Sequence, residues 1–409
     1  MTLAFGSFVL QLLAARALGA EGLGAFALLF GSIVIATAIS SGLVGDSLTV
    51  LDRHAPDVRS ALAWLGLATV GGAATVAFVL GSTLGSLRPS TAALFAGATA
   101  AFMAADLLRR NLMACQRYWR LVVVDSIAFV ASVGFLLAIS GTGLVLDHFV
   151  AALLLGQVVA CVVAWRSLPI SERVLPARQW GDVSAVVSFG SWRAVQQFVR
   201  PTTLNLMRWL VLITAGQVAV GQLEAARLFV APAMLLVQGL GAYLFSSYAA
   251  GRDEPMSHLL RQADLGAAAL LVGCCSIGAI ATVAMPLLGP VLTDGRFELA
   301  SLAVLGWGVY AASCAVVLPY GSLAAVRGDQ AKVFGLRVVD ALIGLGGTAG
   351  ALFWLGMPAS AAPWLLSGGS FAAGIICRQR LLAPRREEPP RVPQAVERPP
   401  APVSRQALR

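Results

Sequence analysis

Apolar stretches long enough to cross a bilayer recur about twelve times along this chain, at roughly 2–18, 23–45, 60–83, 91–108, 121–140, 146–165, 186–214, 219–247, 265–289, 299–321, 333–355 and 359–377. The loops between them are too short to hold a soluble domain. Hydrocarbon offers no water to backbone N–H and C=O groups, so each stretch must close its own hydrogen bonds as a helix. Only 12% of the residues are charged, against roughly a quarter in soluble domains. The expected fold class is therefore an all-α membrane protein.

The basic residues say which way it sits. Among the 29 Lys and Arg, the only lysine is Lys332. One set of alternate loops carries Arg53 and Arg59, Arg109, Arg110, Arg117 and Arg120, Arg166, Arg173 and Arg178, Arg252 and Arg261, then Arg327, Lys332 and Arg337. The other set carries only Arg88 and Arg296. That bias places both termini and the first set in the cytoplasm, which an even span count permits. A net charge of +9 could suggest nucleic acid, but no basic-aromatic patch stands on a soluble domain, so no nucleic-acid partner is expected. The opening residues end in a signal-like ALGA, yet they lack a basic leader and contain Gln11 and Arg16; they read as the first membrane helix.

The longest internal connection carries Pro169 and Pro176 and divides six spans from six. The expected organisation is a first six-helix bundle over 1–165, a cytoplasmic linker over 166–185, a second bundle over 186–377 and a disordered, proline-rich tail over 378–409. The tail's first arginines are placed to touch anionic lipid. The halves echo each other. LGAEGLGAFAL from Leu18 pairs with AGQVAVGQLEA from Ala215, matching Gly19 with Gly216 and Gly24 with Gly221. VVDSI at Val123–Ile127 pairs with VVDAL at Val338–Leu342. Both matches recur in the same order, which predicts two parallel repeats about an axis normal to the membrane. Prolines inside spans, Pro201, Pro232 and Pro319, occur only in the second half and offer it bends.

Catalytic motifs are missing: there is no HExxH, GxSxG or GxxxxGK[ST]. His54, His148 and His258 are scattered through loops, and the six cysteines show no metal-ligand spacing. The chemistry lies in span seven. From Phe189 to Gly216 it carries Arg193, Gln196, Gln197, Arg200, Asn205 and Arg208. Arg193, Gln197, Arg200 and Arg208 fall within a sector of roughly 80° on a helix. An arginine at mid-membrane costs roughly 2.5–3.5 kcal/mol, so this face should look into a wet cavity or at anionic cargo. For Arg193 and Arg208, near the ends, snorkelling to the headgroups is the competing expectation; Arg200 lies deeper. Arg16 in span one and Arg227 in span eight complete the cavity candidates. Glu224 stands i,i+3 from Arg227 and can simply pair with it. Asp125 and Asp340 occupy equivalent places and are expected to pair with arginines such as Arg120 and Arg337. With Asp46 and Glu224, they are also the candidates should transport be coupled to a proton or sodium ion. No other cofactor is implied.

The run AARALGAEGLGAFALLFGSIV at Ala14–Val34 resembles the first-loop signature of bacterial polysaccharide-biosynthesis membrane proteins of the O-antigen flippase type. These belong to the multidrug/oligosaccharidyl-lipid/polysaccharide exporter superfamily. Phe189–Phe229, with its polar helix, glycine turn and AAR element, resembles the start of their second half. The resemblance implies two six-helix bundles and a plasma-membrane flippase, not an enzyme. Its cargo would be an undecaprenyl-pyrophosphate-linked oligosaccharide, moved outward by alternating access. It also implies that arginines on helices one, seven and eight hold the pyrophosphate, which here means Arg16, Arg193, Arg200, Arg208 and Arg227. The expected partners are lipid-linked saccharide, membrane lipids and a polysaccharide polymerase or glycosyltransferase. Two alternatives stand beside it: a multidrug/cation antiporter on the same fold, and a non-transporting membrane partner of a glycosyltransferase or polymerase.

Overall fold

The computed structural model describes residues 2–52, 54–83, 87–173, 180–251 and 254–386. Ten helical stretches among them are long and apolar enough to cross a membrane, and no strand is present among the described residues. Two of these stretches are too long to be single spans. Val183–Ala250 has 68 residues and would run roughly 100 Å if straight, against about 30 Å of hydrocarbon. Each long stretch breaks at one glycine. Gly19 adopts φ 68° and ψ −169°, and Gly216 adopts φ 83° and ψ 175°, a region that only glycine enters freely.

Splitting Thr2–Ser40 at Gly19 gives α1 and α2, the latter continuing through a π-helical turn at Ser41–Gly45 to Val50. Then come α3 (Pro56–Thr83), α4 (Pro89–Ala114), α5 (Tyr118–Ala138) and α6 (Leu146–Ser167). Val183–Ala250 supplies α7 and α8 on either side of Gly216. The chain ends with α9 (Met256–Thr293), α10 (Ser301–Val326), α11 (Gln330–Phe353) and α12 (Ala362–Ile376). The result is a multi-pass membrane protein of twelve spans in two repeated halves.

The helices begin where their sequences favour it. Pro89 opens α4, where its missing N–H costs nothing. Asp182 caps α7 by accepting from the Ala185 N–H at 3.0 Å. Within the second half, Pro201, Pro232, Pro286, Pro290 and Pro319 lie inside continuous helix, and the sharp breaks fall at glycine instead.

The glycine repeat proves to be the contact between halves. A Cβ on Gly24 would run into the Gln217 carbonyl, and one on Gly221 into the Ala20 carbonyl. Ala20 and Gln217 are equivalent positions of the repeat, as are Gly24 and Gly221. The contact is thus made twice by one pseudo-two-fold axis, in the manner of an isologous dimer. Gly216 and Gly19 supply the turn; Gly221 and Gly24 supply the close approach.

One boundary differs from the sequence reading. Residues 378–386 are not loose tail: a π-helical turn at Cys377–Leu382 extends α12, and Arg378 grips Asp264 of α9 with two bonds of 2.8 Å. Residues 387–409 lie outside the described residues, as do 174–179 of the linker. On the far side of that gap, Trp180 stacks on Trp64 of α3 with ring centroids 5.1 Å apart.

Candidate functional site

The polar face of α7 does not open onto one cavity. The helix runs past different neighbours along its length, and its charged residues meet three environments in turn. At the inner end, Arg193 Nε and Gln197 Nε2 donate to Asp46 Oδ2 at 2.8 and 2.9 Å. Arg110 of α4 donates to the other oxygen of Asp46 at 2.8 Å and to Asp106 at 3.1 Å. Ser41 also bonds Asp106. The π-turn at Ser41–Gly45 inserts a residue ahead of Asp46 and so re-aims it. Gly45 has no side chain to block Arg110. Asp46 therefore joins α2 and α4 of the first half to α7 of the second.

A ranking follows. Arg193 is 40% exposed, so Arg193→Ala should cost about 0.5–1 kcal/mol in an unfolding titration. Asp46→Ala leaves Arg193 without its acid and Arg110 with Asp106 alone, and should cost more, about 1.5–3 kcal/mol. Equal costs would mean that Asp46 is not the hub.

At the outer third of α7, Arg208 meets Glu224 of α8. Arg208 Nε and Nη2 donate to the two Glu224 oxygens at 2.8 and 3.3 Å. Arg227 Nε donates to Glu224 at 2.7 Å, and Arg227 Nη2 reaches Gln11 of α1 at 2.6 Å. Glu224 is 1% exposed and Arg208 8%. Asn205 is buried beside them with no hydrogen-bond partner for its Oδ1, and Gly31 of α2 leaves room for both side chains. Gln11 and Arg208 are equivalent positions of the two repeats, so one polar cluster straddles the pseudo-two-fold axis. Arg208 thus neither snorkels nor lines an open cavity; it is paired and buried between the halves. Arg16 is exposed and joins none of these clusters.

Between the two interfaces, Arg200 turns into the second bundle. It lies midway along α7 and lines a cavity of about 690 Å³, part of it open to solvent, with Gln196, Tyr310, Cys314, Arg337 and Asp340. Arg200 Nη2 stands 3.6 Å from Cys314 Sγ. Asp340 accepts from Ser370 at 2.9 Å. The first bundle has the equivalent cavity, about 400 Å³, lined by Ser7, Asp125, Ser132 and Gln157. There Arg109 Nε sits 2.9 Å from Asp125. Asp125 thus pairs with Arg109, while Arg120 donates to the Ser167 carbonyl at 2.8 Å.

Sequence reasoning missed Asp106 and counted Arg109, Arg110 and Arg337 only with the basic loops, because charges were taken to bound the apolar windows. The helices run on: α4 extends to Ala114, and Arg337 stands two turns inside α11. The repeat itself held a signal, since Arg337 immediately precedes VVDAL.

No protein-family profile matches the sequence, and no curated protein does either. Solved structures do. One is an inward-facing multidrug resistance MATE family transporter of the MOP superfamily, with a TM-score of 0.72 at 14% identity over 92% of this chain and 93% of that one. The outward-facing conformation of such a transporter gives 0.59 at 14% identity, covering 92% of each chain. A MOP superfamily transporter from Pyrococcus furiosus Vc1, described as having a binding pocket of reversed polarity that suggests a different function, gives 0.62 at 13% identity over 92% of each. This chain therefore carries the fold shared by MATE transporters of the MOP superfamily.

Proposed function

We propose that the chain is a transporter of a lipid-linked saccharide on a prenyl diphosphate carrier. It would work by alternating access in a bacterial plasma membrane, beside a polysaccharide polymerase or glycosyltransferase. One observation carries this reading: five acids of the helices are already paired with arginines, while the mid-membrane Arg200, which shares its cavity with Asp340, is left for cargo. Asp46 and Asp106 hold Arg110, Asp125 holds Arg109, Glu224 holds Arg208 and Arg227, and Asp264 holds Arg378. Arg200 has no carboxylate at ion-pair distance among the described residues. Guanidinium keeps its charge when desolvated and matches phosphate with paired donors. Gln196 adds the amide that sugar hydroxyls require.

The fold supports transport, since solved relatives of it occur both inward- and outward-facing. The rival is a cation-coupled multidrug exporter; two of the solved structures of this fold are described as a multidrug resistance MATE family transporter. That rival requires an acid free to take a cation. Asp340 is the acid of the larger cavity, and it stands beside two guanidiniums and holds a serine hydroxyl.

The test is flipping of a short-chain prenyl-diphosphate glycolipid in proteoliposomes. Wild type should move it, and Arg200→Ala, still inserted and monodisperse, should lose at least tenfold in rate. A working Arg200→Lys would mean that charge suffices; an inactive one would point to bidentate geometry. Cation-driven drug export by the wild type, without glycolipid flipping, would replace this reading by its rival.

A further inference from the structure

The inner end of the first bundle gathers arginines without gathering acids. α6 ends at Ser167, and three consecutive carbonyls there accept from guanidiniums. Arg117 Nη1 and Arg120 Nη1 both donate to the Ser167 oxygen at 2.8 Å. Arg173 Nη2 donates to the Arg166 oxygen at 2.9 Å, and its Nε to the Leu168 oxygen at 3.2 Å. A helix C-terminus attracts cations, but it supplies only about half a negative charge. Two guanidiniums on one oxygen repel each other. Among the described residues, none of Arg117, Arg120, Arg166 and Arg173 has a carboxylate at ion-pair distance. Glu172, the acid next to Arg173, has its Oε1 3.8 Å from His54 Nε2 instead. The second bundle differs at the corresponding turn. There α11 starts behind Asp329, which holds Lys332 at 3.1 Å and also holds Arg385; α5 starts behind Arg117, itself a cation.

What adjoins these arginines is apolar and faces lipid. Tyr118 and Trp119 open α5 and are 60% and 84% exposed, the placing of aromatic rings at a membrane–water boundary. Along α5, Trp119, Val123, Ile127 and Val130 are all exposed and fall within a sector of roughly 80° on the helix. α6 packs against α5 and carries an exposed row of its own, Leu155, Val158 and Val162, which ends on the exposed Arg166. Two apolar rows therefore run up through the hydrocarbon and finish at the same group of guanidiniums.

We infer that this is a binding site for an anionic phospholipid of the cytoplasmic leaflet. Arg117 and Arg120 take the headgroup phosphate, Arg166 and Arg173 add to the positive field, and the acyl chains follow the rows of α5 and α6 beneath Trp119. Arginine meets phosphate with paired donors, and the phosphate removes the repulsion between the two guanidiniums. Their bonds to α6 hold them in place before the lipid arrives, so little side-chain freedom is lost on binding. Basic pockets at the cytoplasmic ends of membrane helices suit such headgroups. The site shares no lining residue with the Arg200 cavity and stands whatever the cargo is.

The test is native mass spectrometry of the delipidated full-length protein, titrated with phosphatidylglycerol and, separately, with phosphatidylcholine of the same chains. The first phosphatidylglycerol should bind at least tenfold more tightly than the first phosphatidylcholine. Arg117→Gln with Arg120→Gln should bring that preference to within about twofold, while Arg117→Lys with Arg120→Lys should keep most of it. Arg88→Gln, at the exposed start of α4, should leave it intact. Equal binding of the two lipids by the wild type overturns the proposal. So does a preference that survives the double glutamine variant, or one that Arg88→Gln reduces as much. Glycerol phosphate that binds as tightly as the whole lipid would assign the arginines to a soluble anion and overturn the lipid assignment. If the double glutamine variant does not insert, Trp119→Ala with Arg166→Gln decides on the same terms, since both side chains are exposed and neither bonds to α6; at least a fivefold loss of preference is expected there.

Discussion

Glu224→Leu should destabilise the protein by about 3–5 kcal/mol in a reversible unfolding titration, the largest single-residue effect expected in this chain. The carboxylate is 1% exposed and takes bonds from two arginines, Arg208 at 2.8 Å and Arg227 at 2.7 Å. Removing it leaves Arg208, itself 8% exposed, as an uncompensated charge between the halves. The cost lies mainly in the stranded guanidinium rather than in the lost attraction. It follows that Glu224→Leu with Arg208→Met should recover more than half of the loss, since only Arg227, 23% exposed at its side chain and still bonded to Gln11, then lacks a carboxylate. A single-variant cost under about 1 kcal/mol would mean the cluster is hydrated and not a closed seam.

Gly221→Ala should reduce transport at least tenfold, because the outer ends of α2 and α8 can no longer meet. Its new methyl would enter the Ala20 carbonyl, which belongs to a backbone and cannot swing aside. Gly24→Ala should behave alike, its methyl meeting the Gln217 carbonyl. Distances between spin labels across the two halves at this end should lengthen in both variants. Gly335→Ala is the contrast: beyond its own turn of helix, nothing lies within 4 Å of its Cβ position. It should match the wild type or gain slightly in stability, as helical glycines do on replacement. Normal transport by Gly221→Ala would show that the halves need not touch there.

These two sites differ in how far the sequence disclosed them. The glycine repeat was legible, though not the contact it makes, because a backbone requirement selects a residue type: a left-handed φ at Gly19 and Gly216 and a close approach at Gly24 and Gly221 can each be met only by glycine, twice, in register. The span count was legible for a similar reason, since hydrocarbon length imposes itself on each helix separately. The ion pairs were not. Asp46 finds Arg193 and Arg110, and Glu224 finds Arg208, through packing between helices that no local pattern encodes. The i,i+3 pair of Glu224 and Arg227 was the exception, being local. Likewise the common face of Arg193, Arg200 and Arg208 on α7 is real, but a face is a direction, and a long helix passes several neighbours in that direction. Hydropathy windows also ended α4 and delayed α11, because a window stops at a charge whereas a helix stops only when its hydrogen bonds do.

The way Gly24 and Gly221 exchange partners has a bearing on ancestry. A surface that is its own complement is already complete in one six-helix unit; two separate copies would meet through it, and fusing their genes adds a tether but no new contact. Since that meeting depends on glycine and backbone alone, side chains elsewhere in either copy are free to diverge without disturbing it. Arginine could then accumulate in one chamber and not in its twin, turning a duplicated unit into two chambers with different tastes.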